Sequence, residues 1–159
     1  MTTETSAWTT PSDVEVSVTR TFDAPQRLVF EAFTRPEHLV HWLLGPEGWT
    51  MPVCEVDLRP GGRWHMVWRR ADGTEMSMTG SYLEVTPHSR LVQTESWGEE
   101  WPETENTTTF TGAGSQTVVV QTMKFPNQEA RDRAMATGMT SGADTSYDRL
   151  ETYLASLGA

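Results

Sequence analysis

Glu95 is the acid whose position most invites chemistry. In the segment LVQTESW it follows Leu91 and Gln93 at two-residue spacing and precedes Trp97, so its carboxyl is in phase with large apolar side chains on one face of a strand. An enclosed carboxyl has a raised pKa and can act as acid, base or ligand anchor. The other reading makes it a structural hydrogen-bond acceptor near the end of a sheet. Proton transfer would need a second group in the same enclosure. Tyr82 or an arginine at the inner rim would have to supply it, because no second carboxylate is placed there.

The remaining reactive side chains form weaker constellations. His38 and His41 are three residues apart on a predicted helix, a spacing that permits shared metal ligation, but no third ligand is spaced to help. Glu99, Glu100, Glu103 and Glu105 cluster in a loop and read as solvated surface. His65 falls on the outer face of its strand. Cys54 reads as a small buried side chain, since no histidine or basic cluster adjoins it. The LRPGG segment from Leu58 to Gly62 is a turn; no helix and no Lys-Ser or Lys-Thr follow it as a phosphate loop requires. The four histidines assemble no Ser-His-Asp or Cys-His set. No catalytic residue, metal ligand or cofactor site is therefore assigned.

A binding surface is easier to read. Trp64, Met66 and Trp68 share one face of their strand, and Met76, Met78, Gly80 and Tyr82 one face of the next; Leu91, Gln93, Glu95 and Trp97 share a face of the one after. Aromatic rings offer rigid contact area and methionine adapts to varied shapes, a mixture suited to an apolar or aromatic small molecule. The alternative is that these residues simply pack the core. The candidate ligand-binding set is Trp64, Met66, Trp68, Met76, Met78, Tyr82, Glu95 and Trp97, with Met139, Gly142 and Ala143 from the C-terminal region.

The elements that must position this set follow from periodicity. Val14, Val16 and Val18 alternate in a first strand over residues 14–22. Pro25 opens a helix carrying Leu28, Val29, Ala32 and Phe33, and Thr34 and Glu37 have capping-box spacing for a second short helix that ends at Gly45-Pro46. Turn signals then arrive every eight to fifteen residues or so. They mark strands near 53–59, 63–70, 75–85, 90–97, 105–111 and 116–123. Past Pro126, Met139, Ala143, Ser146 or Tyr147, Leu150, Leu154 and Leu157 step at helical spacing. Gly138 and Gly142 lie near that helix's start, and close approach of another group would explain them. The result is an α+β domain of order β-α-α-β6-α. Its seven-stranded antiparallel sheet has to curl around one long helix, leaving a cavity wherever the curl outruns the helix.

Composition limits the partners. The 159 residues suit one domain at 14–159, after a Thr/Ser/Glu-rich stretch, 1–13, that reads as a disordered tail without the pattern of a signal peptide. Twenty-two acidic against twelve basic residues give a formal charge of −10, which opposes nucleic acid and anionic membrane surfaces. A single cysteine makes no internal disulfide, and the expected location is cytoplasmic, as a monomer or homodimer.

The segment RTFDAPQRLVFEAFTRPEHLVHWLLGP at 20–46, then LRPGG, Asp72-Gly73, Gly80, Glu84-Val85, Pro87, Arg90-Leu91-Val92, Thr94, Gly138-Met139, Gly142 and Leu150, resembles bacterial homologues of the activator of the heat-shock-protein-90 ATPase. These belong to the START-like superfamily, with the birch-pollen allergen and the polyketide cyclases. The resemblance spans about residues 14–157 and implies the helix-grip fold, a seven-stranded sheet around a C-terminal helix and a deep hydrophobic cavity. It supplies no universal catalytic residue. A tryptophan is common in the family just after the position matching Gly142, where this chain has Ala143; the smaller side chain implies a larger cavity. Three functions follow as expectations: binding of a lipid-, polyketide- or flavonoid-like molecule, catalysis of the cyclase, dehydratase or hydrolase type in the same cavity, or a co-chaperone role in stress. The eukaryotic activators carry an additional N-terminal domain to which nothing in these residues corresponds.

Overall fold

The computed structural model describes residues 6–158. One antiparallel sheet contains β1 (Ala7–Thr9), β2 (Glu15–Phe22), β3 (Trp49–Val56), β4 (Arg63–Arg70), β5 (Glu75–Thr86), β6 (Arg90–Glu95), β7 (Thr104–Ala113) and β8 (Gln116–Lys124) in the order β1-β2-β8-β7-β6-β5-β4-β3. Helices α1 (Gln26–Thr34) and α2 (Pro36–Trp42) follow β2, while α3 (Gln128–Met135) and α4 (Met139–Ser156) end the chain. Strands β3 to β8 form the expected meander, and β2 returns beside β8 with eight residues in register from Glu15↔Lys124 to Phe22↔Thr117.

The sheet has eight strands, not seven. The extra one, β1, lies within the stretch expected to be a tail and pairs with β2 from Ala7↔Thr19 to Thr9↔Ser17. Of the same stretch, residues 1–5 lie outside the described residues. Two local readings also change. Helix α2 is not capped by Thr34, whose hydroxyl donates instead to the Phe30 carbonyl at 2.9 Å; the N-cap is Arg35, and Pro36 supplies the pre-set first turn. The C-terminal helical region is split at Gly138, whose φ of +81° suits glycine and ends the run from α3 before α4 begins.

Helix α4 packs on the sheet through Ser146, Tyr147, Leu150 and Leu154, at the three- and four-residue spacing read from the sequence. Leu157 does not continue the stripe, because the helix ends at Ser156. On the inner face of β2, the buried Arg20 places Nη2 2.7 Å from Asp148 Oδ1 and 2.8 Å from Glu151 Oε2, tying the sheet to α4. Trp8 adds a bond from Nε1 to Asp144 Oδ1 at 2.9 Å. Phe33 stands at the centre of an aromatic cluster, 4.9 Å from Trp42, 5.3 Å from Phe110 and 6.3 Å from Phe22 between ring centroids; Tyr147 joins at 6.0 Å from Phe22. That cluster joins α1, α2 and α4 to β2 and β7, and it seals one end of the space between sheet and helix.

Leu150 is fully buried and Leu157 is 43% exposed. Leu150→Ala is expected to destabilise the fold by about 2–5 kcal/mol through lost transfer energy and a residual cavity. Leu157→Ala should change it by less than about 0.5 kcal/mol. Denaturant melts of the two variants check both values.

Candidate functional site

The strand phases place the predicted wall largely as expected. Trp64, Met66 and Trp68 of β4 and Met78 and Tyr82 of β5 are buried on the inner face, with Met66 opposite Met78 and Trp64 opposite Gly80. Gly80 has no room for a side chain: a Cβ there would collide with the Thr94 carbonyl and lie 2.5 Å from Trp64 Cζ2 and 2.6 Å from Cε2. The Trp64 indole therefore leans across β5 toward β6. His65 points outward, 3.1 Å from Ser77 Oγ and 3.5 Å from Glu55 Oε1.

Two members of the wall lie at its rim. Met76 is 43% exposed and Trp97 38% exposed, because the phase continues past the point where α4 covers the sheet. Trp97 still stacks on Trp68, with ring centroids 5.4 Å apart. Trp97 follows the end of β6, and its exposed ring leaves the interior to Trp64 and Trp68.

Glu95 is the centre of a polar tier. Its Oε1 accepts from Trp97 Nε1 at 2.8 Å and its Oε2 from Asn106 Nδ2 at 2.7 Å, while Asn106 Oδ1 accepts from Thr104 Oγ1 at 3.0 Å. Burial raises the Glu95 pKa above the ordinary carboxylate range, against the lowering effect of the Trp97 and Asn106 hydrogen bonds. Across the same face the Tyr147 hydroxyl donates to Gln121 Oε1 at 2.5 Å. Its pKa is raised by burial first, then by Asp144 and Glu95, against the opposing charge of Arg20. Tyr82 is also held protonated by burial. Cys54 sits opposite Met66, and burial, helped by Glu55, pushes its thiol up to about 11, which keeps it a thiol at neutral pH.

Accessibility along the inner face is graded. Thr117 and Val119 of β8 are buried, but Gln121 and Met123 are only half-buried; Leu91 of β6 is buried, but Gln93 and Glu95 are not sealed. On the facing helix, Met139, Gly142 and Ala143 are likewise half-buried, whereas Ser146, Tyr147 and Leu150 are covered. These half-buried inner side chains lie on the side of the N-terminal half of α4, away from the aromatic cluster. Gly142 meets Pro46 only at ordinary contact distance, 3.5 Å from its built Cβ to Cδ. Close approach explains neither helix glycine, since nothing crowds Gly138 and its backbone conformation is what requires it. In the segment between β6 and β7, Arg133 of α3 stacks over Trp101 at 4.1 Å and donates from Nη1 to the Glu100 carbonyl at 3.1 Å.

Sequence reasoning missed Asn106, Thr104, Gln121 and Tyr147 as members of this tier. On β7 the inner residues Thr104, Asn106 and Thr108 alternate with Glu105, Thr107 and Thr109, so both faces are polar and hydropathy gives no phase. Register relative to Phe110 would have found them. Two surface concavities include none of the predicted ligand-binding set, although Thr104 of the tier borders the smaller one. One of about 560 Å³ lies between α2 and α4, with His41, Glu47, Arg149 and Tyr153 on its walls; one of about 260 Å³ lies at the ends of β7 and β8, beside Glu103, Glu105 and Lys124. His38 Nδ1 lies 2.6 Å from the Tyr153 hydroxyl and His41 stacks on the same ring, so both histidines are structural contacts of α4. No group of three or more His, Cys, Asp or Glu suited to a metal occurs among the described residues.

The pH dependence of Glu95 has a definite sign. A carboxyl whose folded-state pKa is raised binds more protons folded than unfolded between the two values, so its contribution to stability falls as pH rises through that interval. The stability of the wild type minus that of Glu95→Gln is expected to decline from the ordinary carboxylate range upward and to level off above the folded-state pKa. Denaturant melts across a pH series check this, and a difference that rises with pH would show Glu95 to be stabilised as the anion.

The wider comparisons agree with this architecture. Residues 23–155 match the family described as activator of Hsp90 ATPase homolog 1-like protein. A crystal structure of a protein from Rhodobacter sphaeroides is 26% identical, with a TM-score of 0.91 over 96% of this chain and 99% of that one. A second, from Nitrosomonas europaea, is also 26% identical, with a TM-score of 0.83 over 92% and 97%. The solution structure of the AHSA1-like protein from Aeromonas hydrophila shares the fold at 21% identity, with a TM-score of 0.70 over 91% and 94%. The curated proteins contain no match. Among the described residues no helix is long and apolar enough to cross a membrane. With its helix-grip architecture and a family match over most of its length, the chain belongs to the activator of Hsp90 ATPase homolog 1-like family.

Proposed function

We propose that this protein binds an apolar or aromatic small molecule of lipid-, polyketide- or flavonoid-like character in the cleft beneath the N-terminal half of α4. The fold of the family generally takes hydrophobic ligands. The observation that carries the reading in this chain is the graded inner face. Aromatic and sulfur-bearing side chains form the inner β4–β5 face, and the half-buried strip from Glu95 and Gln121 to Met139 and Ala143 is where a ligand would enter. An adaptable apolar wall with few polar groups is the usual chemistry of a small-molecule site.

Ala143 packs against the core cluster from the helix side of this cleft. A neutral fluorescent naphthylamine is expected to bind saturably at one molecule per chain, and native mass spectrometry of the freshly purified protein should show a co-purifying small molecule. Ala143→Trp fills the cleft and is expected to weaken the probe by about tenfold or more, an effect of about 1.4 kcal/mol. Its thermal midpoint should stay close to that of the wild type. An absence of saturable binding, or equal affinity in a folded Ala143→Trp variant, would overturn the reading.

The raised pKa of Glu95 favours a second reading, an enzyme of the cyclase, dehydratase or hydrolase type in which Glu95 transfers a proton to a bound substrate. Under that reading Glu95→Gln abolishes turnover and leaves binding of the same compound largely intact.

A further inference from the structure

We infer that the cleft contains a subsite for a neutral carbonyl oxygen, read by the Trp64 indole N–H, so that its ligand is an aromatic ketone or quinone-like ring system and not a plain hydrocarbon or a carboxylate. This rests on the binding reading above and narrows its ligand class. Four other tryptophans show what this protein does with an indole donor. Trp8 Nε1 donates to Asp144, Trp42 Nε1 to the Ala32 carbonyl, Trp68 Nε1 to the Leu43 carbonyl and Trp97 Nε1 to Glu95, all at 2.7–2.9 Å. Trp64 is 2% exposed, yet its Nε1 has no hydrogen-bond partner. A buried donor without an acceptor is costly and uncommon, and an acceptor brought by a ligand removes the cost.

The surroundings determine which acceptor fits. The indole edge carrying Cε2, to which Nε1 is bonded, lies over Gly80, so the donor stands between β4 and β6 on the inner face. The inner positions next along are Gln93 and Glu95, both half-buried, and since Nε1 itself is closed to solvent a ligand oxygen reaches it by displacing the side chains packed there. A carboxylate is disfavoured there. Among the described residues the one Lys or Arg at an inner position of β4 to β8 is Arg70, exposed at the far end of β4 and stacked over Trp49; Glu95 brings negative charge when ionised, and Arg20, though its Nε has no partner, already holds Asp148 and Glu151 through Nη2. A neutral carbonyl accepts one N–H without importing charge, and a flat ring attached to it matches the stack of Trp68 and Trp97.

The test compares fluorenone with fluorene, two ligands of nearly the same shape that differ by the ring carbonyl, using the full-length protein. Wild type is expected to bind fluorenone about five- to tenfold more tightly than fluorene, the fold-change of one net hydrogen bond. Trp64→Phe, which keeps the ring and removes the donor, should abolish the preference. In the assigned ¹H–¹⁵N spectrum of wild type the Trp64 indole peak should move with fluorenone and stay in place with fluorene, a readout that does not depend on the variant folding. Equal affinities in wild type, a preference retained by Trp64→Phe, or an unmoved Trp64 indole peak would overturn the carbonyl subsite while leaving the binding reading intact. Failure of both compounds and of the naphthylamine probe to bind would overturn the binding reading and the subsite with it.

Discussion

Arg20 lies on the inner face of the sheet with 3% of its side chain exposed, and its Nη2 reaches two carboxylates of the C-terminal helix, Asp148 and Glu151. A guanidinium cannot lose its charge at any ordinary pH, so burying it calls for those partners, although Asp148 itself is largely exposed. The contact therefore fixes the rotation of α4 about its axis, not merely its presence over the sheet. Once Asp148 and Glu151 face β2, helical geometry turns Tyr147 toward Gln121 and Leu150 into the core, and leaves Ala143 and Met139 half-buried a turn or more nearer the start of the helix. The flat faces of Phe22 and Tyr147 within 6.0 Å of the guanidinium carbon add to the same setting.

With the helix fixed, the interior divides. On the side of α1 and α2 the rings of Phe22, Phe33, Trp42, Phe110 and Tyr147 meet mostly edge to face. On the other side β7 contributes Thr104, Asn106 and Thr108 to the inner face, and these small polar side chains cannot fill the volume that aromatic residues would. Their hydrogen bonds hold Glu95 in place, and Glu95 in turn fixes Trp97 at the rim. The polar tier is thus the source of the few directed groups on the inner face.

Much of this was legible in the sequence because strand period reports faces. Trp64, Met66, Trp68, Met78 and Tyr82 all lie inward as their alternation predicted, and Tyr147, Leu150 and Leu154 form the helix stripe. Phase does not report extent: Met76, Trp97 and Leu157 share the right faces but lie beyond the cover provided by neighbouring elements, a property of the tertiary structure. Strand β1 escaped notice because three residues carry no period; Ala7, Trp8 and Thr9 become a strand through pairing with β2. Thr34 misled as a cap because its hydroxyl had a nearer partner in the preceding turn of α1. The polar tier was hidden by threonines on both faces of β7.

The two edges of the sheet are both poor templates for another strand. At one edge β1 offers only three residues, and at the other β3 carries Pro52, which has no N–H to donate, within a register shift between Thr50 and Val53. A single wide antiparallel sheet with open ends invites edge-to-edge growth between molecules, and short, irregular or proline-bearing margins are the usual defence against it. In this protein that defence comes from the strand hidden in the N-terminal stretch and from one ring-closed residue. The sheet can therefore stay wide and open-ended without offering its margins to aggregation.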